Sequence, residues 1–341
     1  MPRKSSKDTD APPLKQPPIL YDRTQKYLKQ IQARLDGKLV TYWNSSRGSV
    51  CHNDVIGFYQ LLEELGHQEV IYLMIKSDGG NGRASLRIVN LMRRYCNKLV
   101  ALVPLECASA ATMIAIGADE IHMGPMAYLT AVDTSLTHDL SPVDRDNDRV
   151  AVSLDEVKRV ISLWKKNSSE GKDMNPYHAL FQYVHPLVIG AVDRADSLSL
   201  MLCQHILGHH LKDEKLIERI STTLNSKYPS HGYPILIEEA RQVGLKVVEM
   251  DPEINSLLLE LSHAYSEMGQ RATTDISDTQ SHSNEIANIM EREGVLIYFQ
   301  HDKDWYYRTE ERRWIVMNDY SSWRRVGRVG KELKHEILHF A

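Results

Sequence analysis

Cysteine is scarce in this chain. Four thiols are spread over 341 residues, at Cys51, Cys96, Cys107 and Cys203, with no CxxC pair. That spacing suggests neither a disulfide framework nor a cysteine zinc site, and it fits a reducing compartment. Long apolar runs are also missing. The stretch from Cys107 to Ala118 is small and apolar but contains hydroxyls, and at about twelve residues it is too short for a membrane helix, which needs about 20. The first ten residues, Met-Pro-Arg-Lys-Ser-Ser-Lys-Asp-Thr-Asp, hold no apolar core and so do not read as a secretory signal. The expectation is a cytoplasmic protein with no membrane partner. Neither sign of charge dominates: 41 Lys and Arg stand against 45 Asp and Glu, so net charge gives no reason to expect nucleic acid as the main partner. No Walker motif is present, so any ATPase would be a separate chain.

What the chain has is alternation. Leu39–Trp43, Val70–Ile75, Leu99–Val103 and Glu120–Met123 are short β-rich runs. Between them, Asp54–Leu65, Arg83–Tyr95 and Ser109–Gly117 carry helical spacing, with Ile88, Leu91, Met92 and Tyr95 on one face. Strands alternating with helices imply an α/β fold with a parallel-rich sheet flanked by helices. Residues 1–20 read as a disordered tail and 21–263 as the main domain. Residues 264–285, polar and rich in Ser, Thr, Asp, Gln and Asn, read as a linker. Residues 286–341 read as a small aromatic-rich, β-rich unit ending in a helix over 331–340. Its Trp305, Tyr307 and Trp314, beside Arg308, Arg312, Arg313, Arg324, Arg325 and Arg328, suit a mini-core, a protein partner or single-stranded nucleic acid.

Two segments carry chemistry. Lys76-Ser77-Asp78-Gly79-Gly80-Asn81-Gly82 lies between a strand and a helix. Glycines there let backbone N–H groups approach a ligand, as an oxyanion hole requires; a phosphate loop, for which the GxxxxGK(S/T) and GxGxxG spacings are missing, and a plain turn are the competing readings. The second segment runs Glu106-Cys107-Ala108-Ser109-Ala110-Ala111-Thr112-Met113 and continues to Ala118-Asp119-Glu120-Ile121. Ser109 falls at a helix start, where developing negative charge is stabilised, although a serine there is more commonly only an N-cap.

The run from Ser109 to Ile121 resembles the nucleophile segment of signal peptide peptidase A and its relatives, above all the serine dehydrogenase proteinase family of Clp/crotonase-fold serine peptidases. Asp78-Gly79-Gly80 stands where that family has Pro-Gly-Gly, and Ser109-Ala110-Ala111-Thr112 where it has Ser-Ala-Gly-Thr. Gly124-Pro125 to Val132-Asp133 is similar to its Gly-Pro-(Ile/Val)-Asp stretch. Ser230-His231-Gly232-Tyr233-Pro234-Ile235, with Glu239-Ala240 and Gly244-Leu245, is similar to a later block. The resemblance spans roughly residues 25 to 250. It implies a Clp/crotonase-like fold, no cofactor, a protein or peptide substrate and a homo-oligomer. It also implies Ser109 as nucleophile and an oxyanion hole from Gly79, Gly80 and Ala110.

A serine nucleophile needs a base. His231, supplied by the family block, and Lys158 are the candidates retained; His138, Lys165 and Lys166 also lie downstream. A catalytically silent scaffold on the same fold, binding a partner through the tail, is the alternative. A crotonase-like acyl-CoA enzyme would leave Ser109 without a role. His335-Glu336-Ile337-Leu338-His339 fits HExxH, a zinc motif when helical. No third ligand follows it, and no metal is expected. His205, His209 and His210 read as a solvated helix end.

Overall fold

The computed structural model of the protein describes residues 12–133, 135–145, 148–167 and 176–340. The expected tail at 1–20 lies outside these up to residue 11. Beyond it, Lys15 and Gln16 rest on the C-terminal strands, through Lys15 N to Thr274 Oγ1 (2.9 Å) and Gln300 Nε2 to Gln16 Oε1 (3.2 Å).

The first half alternates as its periodicity requires: α1 (Tyr21–Gln32), β1 (Lys38–Asn44), α2 (Asp54–Leu65), β2 (Gln68–Lys76), α3 (Gly82–Arg94), β3 (Cys96–Val103), β4 (Glu106–Cys107), α4 (Ala110–Ala115), β5 (Glu120–Met123) and β6 (Tyr128–Leu129). The middle holds β7 (Ser135–Leu136), β8 (Val152–Ser153), α5 (Leu154–Asn167), α6 (Pro176–Leu180), α7 (Pro186–Leu207), α8 (Glu214–Ser226), α9 (Ile237–Val243), β9 (Val247–Glu249) and α10 (Pro252–Met268). The last part is all strand: β10 (Ala272–Ser277), β11 (Gln280–Arg292), β12 (Val295–Arg308), β13 (Arg313–Asp319), β14 (Ser322–Val329) and β15 (Glu332–Leu338).

Strands β1, β2, β3, β5 and β9 pair in parallel, in that order. Both faces of this sheet are covered, which is why its strands are almost wholly apolar. Alternate residues go to opposite sides. Leu39, Trp43, Tyr72, Met74, Val100 and Leu102 pack with α1 and α10. Val40, Tyr42, Leu73, Ile75, Ala101 and Val103 pack under α2, α3 and α4. Helix starts are fixed by side chains: Asn81 Oδ1 accepts from Arg83 and Ala84 N–H (3.0 and 3.1 Å), and Asp251 caps α10 beside Pro252.

The C-terminal part departs from the sequence reading. Residues 264–285 are not a linker: they end α10, form β10 and begin β11. Strand β11 then pairs antiparallel with β1, Thr41 opposite Glu291, so the sheet runs β15-β14-β12-β11-β1-β2-β3-β5-β9 without a break. Of the expected unit at 286–341, the strands up to Leu338 therefore extend the main sheet, and Ile289, Leu296, Tyr298 and Val326 share the core of α1 and α10. The expected helix over 331–340 is instead β15, held by β14. Most of the arginines named above are paired: Arg308 and Arg313 with Glu311, Arg324 with Asp302, Arg325 with Glu64 and Arg328 with Asp22.

Candidate active site

Two turns meet at the carboxyl ends of β2 and β3, where open α/β sheets bind ligands. The chain after β2 is stitched to β4: Ser77 N–H donates to Glu106 O (3.0 Å) and Ala108 N–H to Ser77 O (2.9 Å). That pairing brings Gly79 against the serine. A Cβ on Gly79 would lie 2.8 Å from both Ala108 O and Ser109 Cβ. Only glycine fits, and its φ of 106° favours glycine as well.

Gly80 is a bridge to Val50. Val50 N–H donates to Gly79 O and Asn81 N–H to Val50 O, both 2.8 Å. With its neighbours so engaged, the N–H and C=O of Gly80 itself point away from Val50. Gly79 N–H is already committed to Ser77 Oγ (3.1 Å). Among the described residues no acceptor meets the N–H of Gly80 or of Ala110, and both residues line the same cavity. Of the three expected oxyanion positions, Gly80 and Ala110 have the donors to offer.

Ser109 has φ 53° and ψ −117°, a conformation rare for a non-glycine residue. It precedes α4 yet its side chain makes no capping bond, so the capping role weighed above does not describe it. Two threonines hold the backbone in place. Ser109 N–H donates to Thr130 Oγ1 (2.8 Å), Thr130 N–H to Thr112 Oγ1 (3.1 Å), and Thr112 Oγ1 to Cys107 O (2.7 Å). Residues held in such regions cluster at active sites when the surroundings over-determine them.

The far wall comes from later in the chain. Leu129 and Ile235 exchange backbone hydrogen bonds, and Ser199 Oγ on α7 donates to Val132 O (2.6 Å). These ties carry Asp133 and His231 to the cavity. His231 Nδ1 lies 2.8 Å from Asp133 Oδ1, so Nδ1–H donates to the carboxylate and Nε2 is left with its lone pair. The Asp133 hydrogen bond raises the His231 pKa, against the opposing effect of burial. The cavity, about 420 Å³, is lined by Gly80, Ser109 and Ala110 together with Asp133 and His231. Met113, Val132, Leu136, Leu198 and Leu202 supply apolar wall.

Lys158 is not there. It sits on α5 with its side chain 60% exposed and Nζ 4.0 Å from Asp196 Oδ2. Nor is His138 among the lining residues; its Nδ1 accepts from Leu140 N–H (3.1 Å). Sequence reasoning gave Asp133 no role. Its signal was present, since it ends the Val132-Asp133 stretch that the family resemblance marks. The HExxH motif starts on β15 and ends one residue beyond it, so it is not on a helix; along an extended strand residues four apart stand about 13 Å from one another, too far to share one ion. His210 Nε2 is engaged by Ile116 O (2.8 Å). Among the described residues no group of three or more His, Cys, Asp or Glu could hold a metal, and no helix is long and apolar enough to cross a membrane.

Known proteins match parts of the chain. An uncharacterised protein of Methanocaldococcus jannaschii, MJ0137, is 26% identical over 209 residues, covering 56% of this chain and 58% of that relative. The chain thus spans little more than half the length of the curated relative it matches. Solved structures that align with it include a variant of the 1510-N membrane-bound stomatin-specific protease (15% identity, TM-score 0.39, 69% of this chain and 87% of that one). Another is ClpP1 from Listeria monocytogenes (13% identity, TM-score 0.35, 66% and 97%). Residues 23–128 match the Clp protease family, and the segment bearing Gly80 and Ser109 is therefore Clp protease-like.

Proposed function

We propose that the protein is a serine peptidase-like hydrolase of the serine dehydrogenase proteinase group, with Ser109 as nucleophile, His231 as general base and Asp133 as its orienting carboxylate. One observation carries this reading: Ser109, with its hydroxyl uncommitted, lines the same cavity as a histidine whose Nδ1 is fixed by a carboxylate. Nucleophile, base and orienting group are the parts that activate a serine.

In the reaction Ser109 Oγ bonds to the acyl carbon of a peptide as its proton passes to His231 Nε2. The carbonyl oxygen becomes an oxyanion between the N–H groups of Gly80 and Ala110. On collapse the C–N bond breaks and the leaving amine takes the proton from Nε2. Water, deprotonated by His231, then attacks the acyl-enzyme; the acid is released and the Ser109 hydroxyl restored. The apolar wall suits an apolar substrate side chain beside the scissile bond. Exposed Val160, Leu163, Phe181, Tyr183 and Leu187 on and around α5–α7 support self-association.

The test is labelling with a fluorophosphonate serine probe. The expected result is a labelled wild type and an unlabelled, folded Ser109→Ala variant. Labelling that persists in Ser109→Ala, or a folded wild type that neither labels nor cleaves any peptide in a mixed library, overturns the reading.

A further inference from the structure

The sheet ends in a strand whose outer edge has no partner among the described residues: β15 pairs with β14 on one side and is the last member of the strand order. A free edge presents a row of backbone donors and acceptors to any second strand. The sequence of this edge is symmetric about one residue. Reading outward from His335, Lys334 stands opposite in direction to Glu336, and Leu333 to Ile337. Lys334 and Glu336 share a face and pair within the chain, Nζ to Oε1 at 2.5 Å, with Lys334 mostly in solvent and Glu336 half-buried. Ile337 is 57% exposed, a large apolar side chain left on the edge.

We infer that β15 is the seam of a homodimer, pairing antiparallel with β15 of a second copy about a two-fold axis through His335. In that register each Lys334 lies directly across from Glu336 of the other copy, and each Leu333 from Ile337. A two-fold interface must be self-complementary, and both matches occur twice by symmetry. Opposite charges and apolar side chains directly across a ladder stabilise it, and like charges directly across destabilise it. Moving the register by two residues in either direction places Lys334 across from Lys334 or Glu336 across from Glu336. Among these three registers the charges favour the one centred on His335. The seam would join two 11-stranded sheets edge to edge.

The inference does not depend on Ser109 being a nucleophile, and its test reads association alone. In an antiparallel two-fold ladder only the axial residue faces its own copy, with Cα atoms about 5 Å apart, within disulfide reach. His335→Cys should therefore cross-link to a dimer under mild oxidation, while Glu332→Cys, three residues from the axis, should not. Lys334→Glu or Glu336→Lys alone places like charges across the seam twice and should weaken dimerisation about tenfold or more in sedimentation velocity. The double variant, Lys334→Glu with Glu336→Lys, restores the opposite-charge pairs and should recover it. Equal cross-linking at 332 and 335, or no recovery in the double swap, overturns the seam. All these substitutions are on an exposed edge, and circular dichroism checks that each variant is folded.

Discussion

The two walls of the cavity are built by different means. The near wall is backbone: Gly79, Gly80, the positive φ of Ser109 and the Ala110 amide, all within the Clp protease-like segment and pinned to strand ends. The far wall is side chain: Asp133 and His231, brought together from sequence positions 98 apart by loop contacts to α7 and to Leu129. The first is a shape fixed by local chain geometry. The second is a distance that depends on everything folded between. A site split in this way should tolerate damage unequally.

The largest expected effect crosses both walls. Ser109→Ala and His231→Gln should each lower kcat for a cleaved peptide on the order of 10⁴-fold or more, and the double variant should be little worse than either single one, because members of such a unit are non-additive. Full additivity would separate the two walls functionally and break the pairing of Ser109 with His231.

On the far wall alone, Asp133→Asn should cost on the order of 10²- to 10⁴-fold and move the pH profile. The Asp133 hydrogen bond raises the His231 pKa, so the imidazole stays protonated, and inactive as a base, to a higher pH than an ordinary histidine. Wild-type kcat/KM should rise with pH through a midpoint above 6.5, the unperturbed value, and Asp133→Asn should lower that midpoint. A limb that does not move in the variant would assign the titration to another group.

Damage to the near wall should be confined to the transition state. In Gly80→Ala the new Cβ would sit 2.5 Å from Val50 O and 2.6 Å from Val50 N, so the turn must shift and carry the amide with it. The expected loss is about 10²- to 10³-fold in kcat, with KM changed far less, as for removal of one oxyanion donor. A selective rise in KM would make Gly80 a binding residue instead. The smallest effect is expected at Lys158, on neither wall: Lys158→Ala should leave kcat/KM within about twofold, since surface substitutions away from such features do little. A large loss there would bring the lysine back as base.

The same division governs what the sequence showed. Strands β1, β2 and β3 and helices α2 and α3 were legible because each repeats an apolar pattern that its neighbours honour. The turn at Gly79 and Gly80 stood out because its positive φ angles ask for glycine, whereas Ser109 stood out only by its place at a helix start and by resemblance, since its positive φ leaves no mark in a serine. His231 was reachable only through resemblance, and Asp133 remained without a role, since nothing local marks two loop residues that meet only after α7 and α8 have packed. The tail misled for a different reason. Residues 264–285 look like a linker because they are polar, but Thr274, His282, Ser283, Asn284 and Glu285 are buried. Trp305 Nε1 donates to Ser283 Oγ (2.7 Å), His282 Nδ1 meets Asp304 Oδ1 (2.8 Å), and Gln300 bonds Asn284. A core satisfied by hydrogen bonds leaves no hydropathy trace. In β15, Leu333 and Ile337 are four apart, a spacing that suits a helix as well as one face of a strand, and only the ladder to β14 decides between them.

The pairing of β1 with β11 bears on how the chain is made. Val40 to Trp43 find one neighbour, β2, within about 30 residues, but the other, Ile289 to Arg292, only about 250 residues later. During synthesis at about 5–20 residues per second, the ribosome must therefore release most of the chain while β1 has one side bare. For tens of seconds, on that arithmetic, an apolar strand that will end up in the middle of a sheet is still its margin. The nascent protein is then open to strand addition from a neighbouring chain, and a chaperone able to shield β1 would act before β11 emerges.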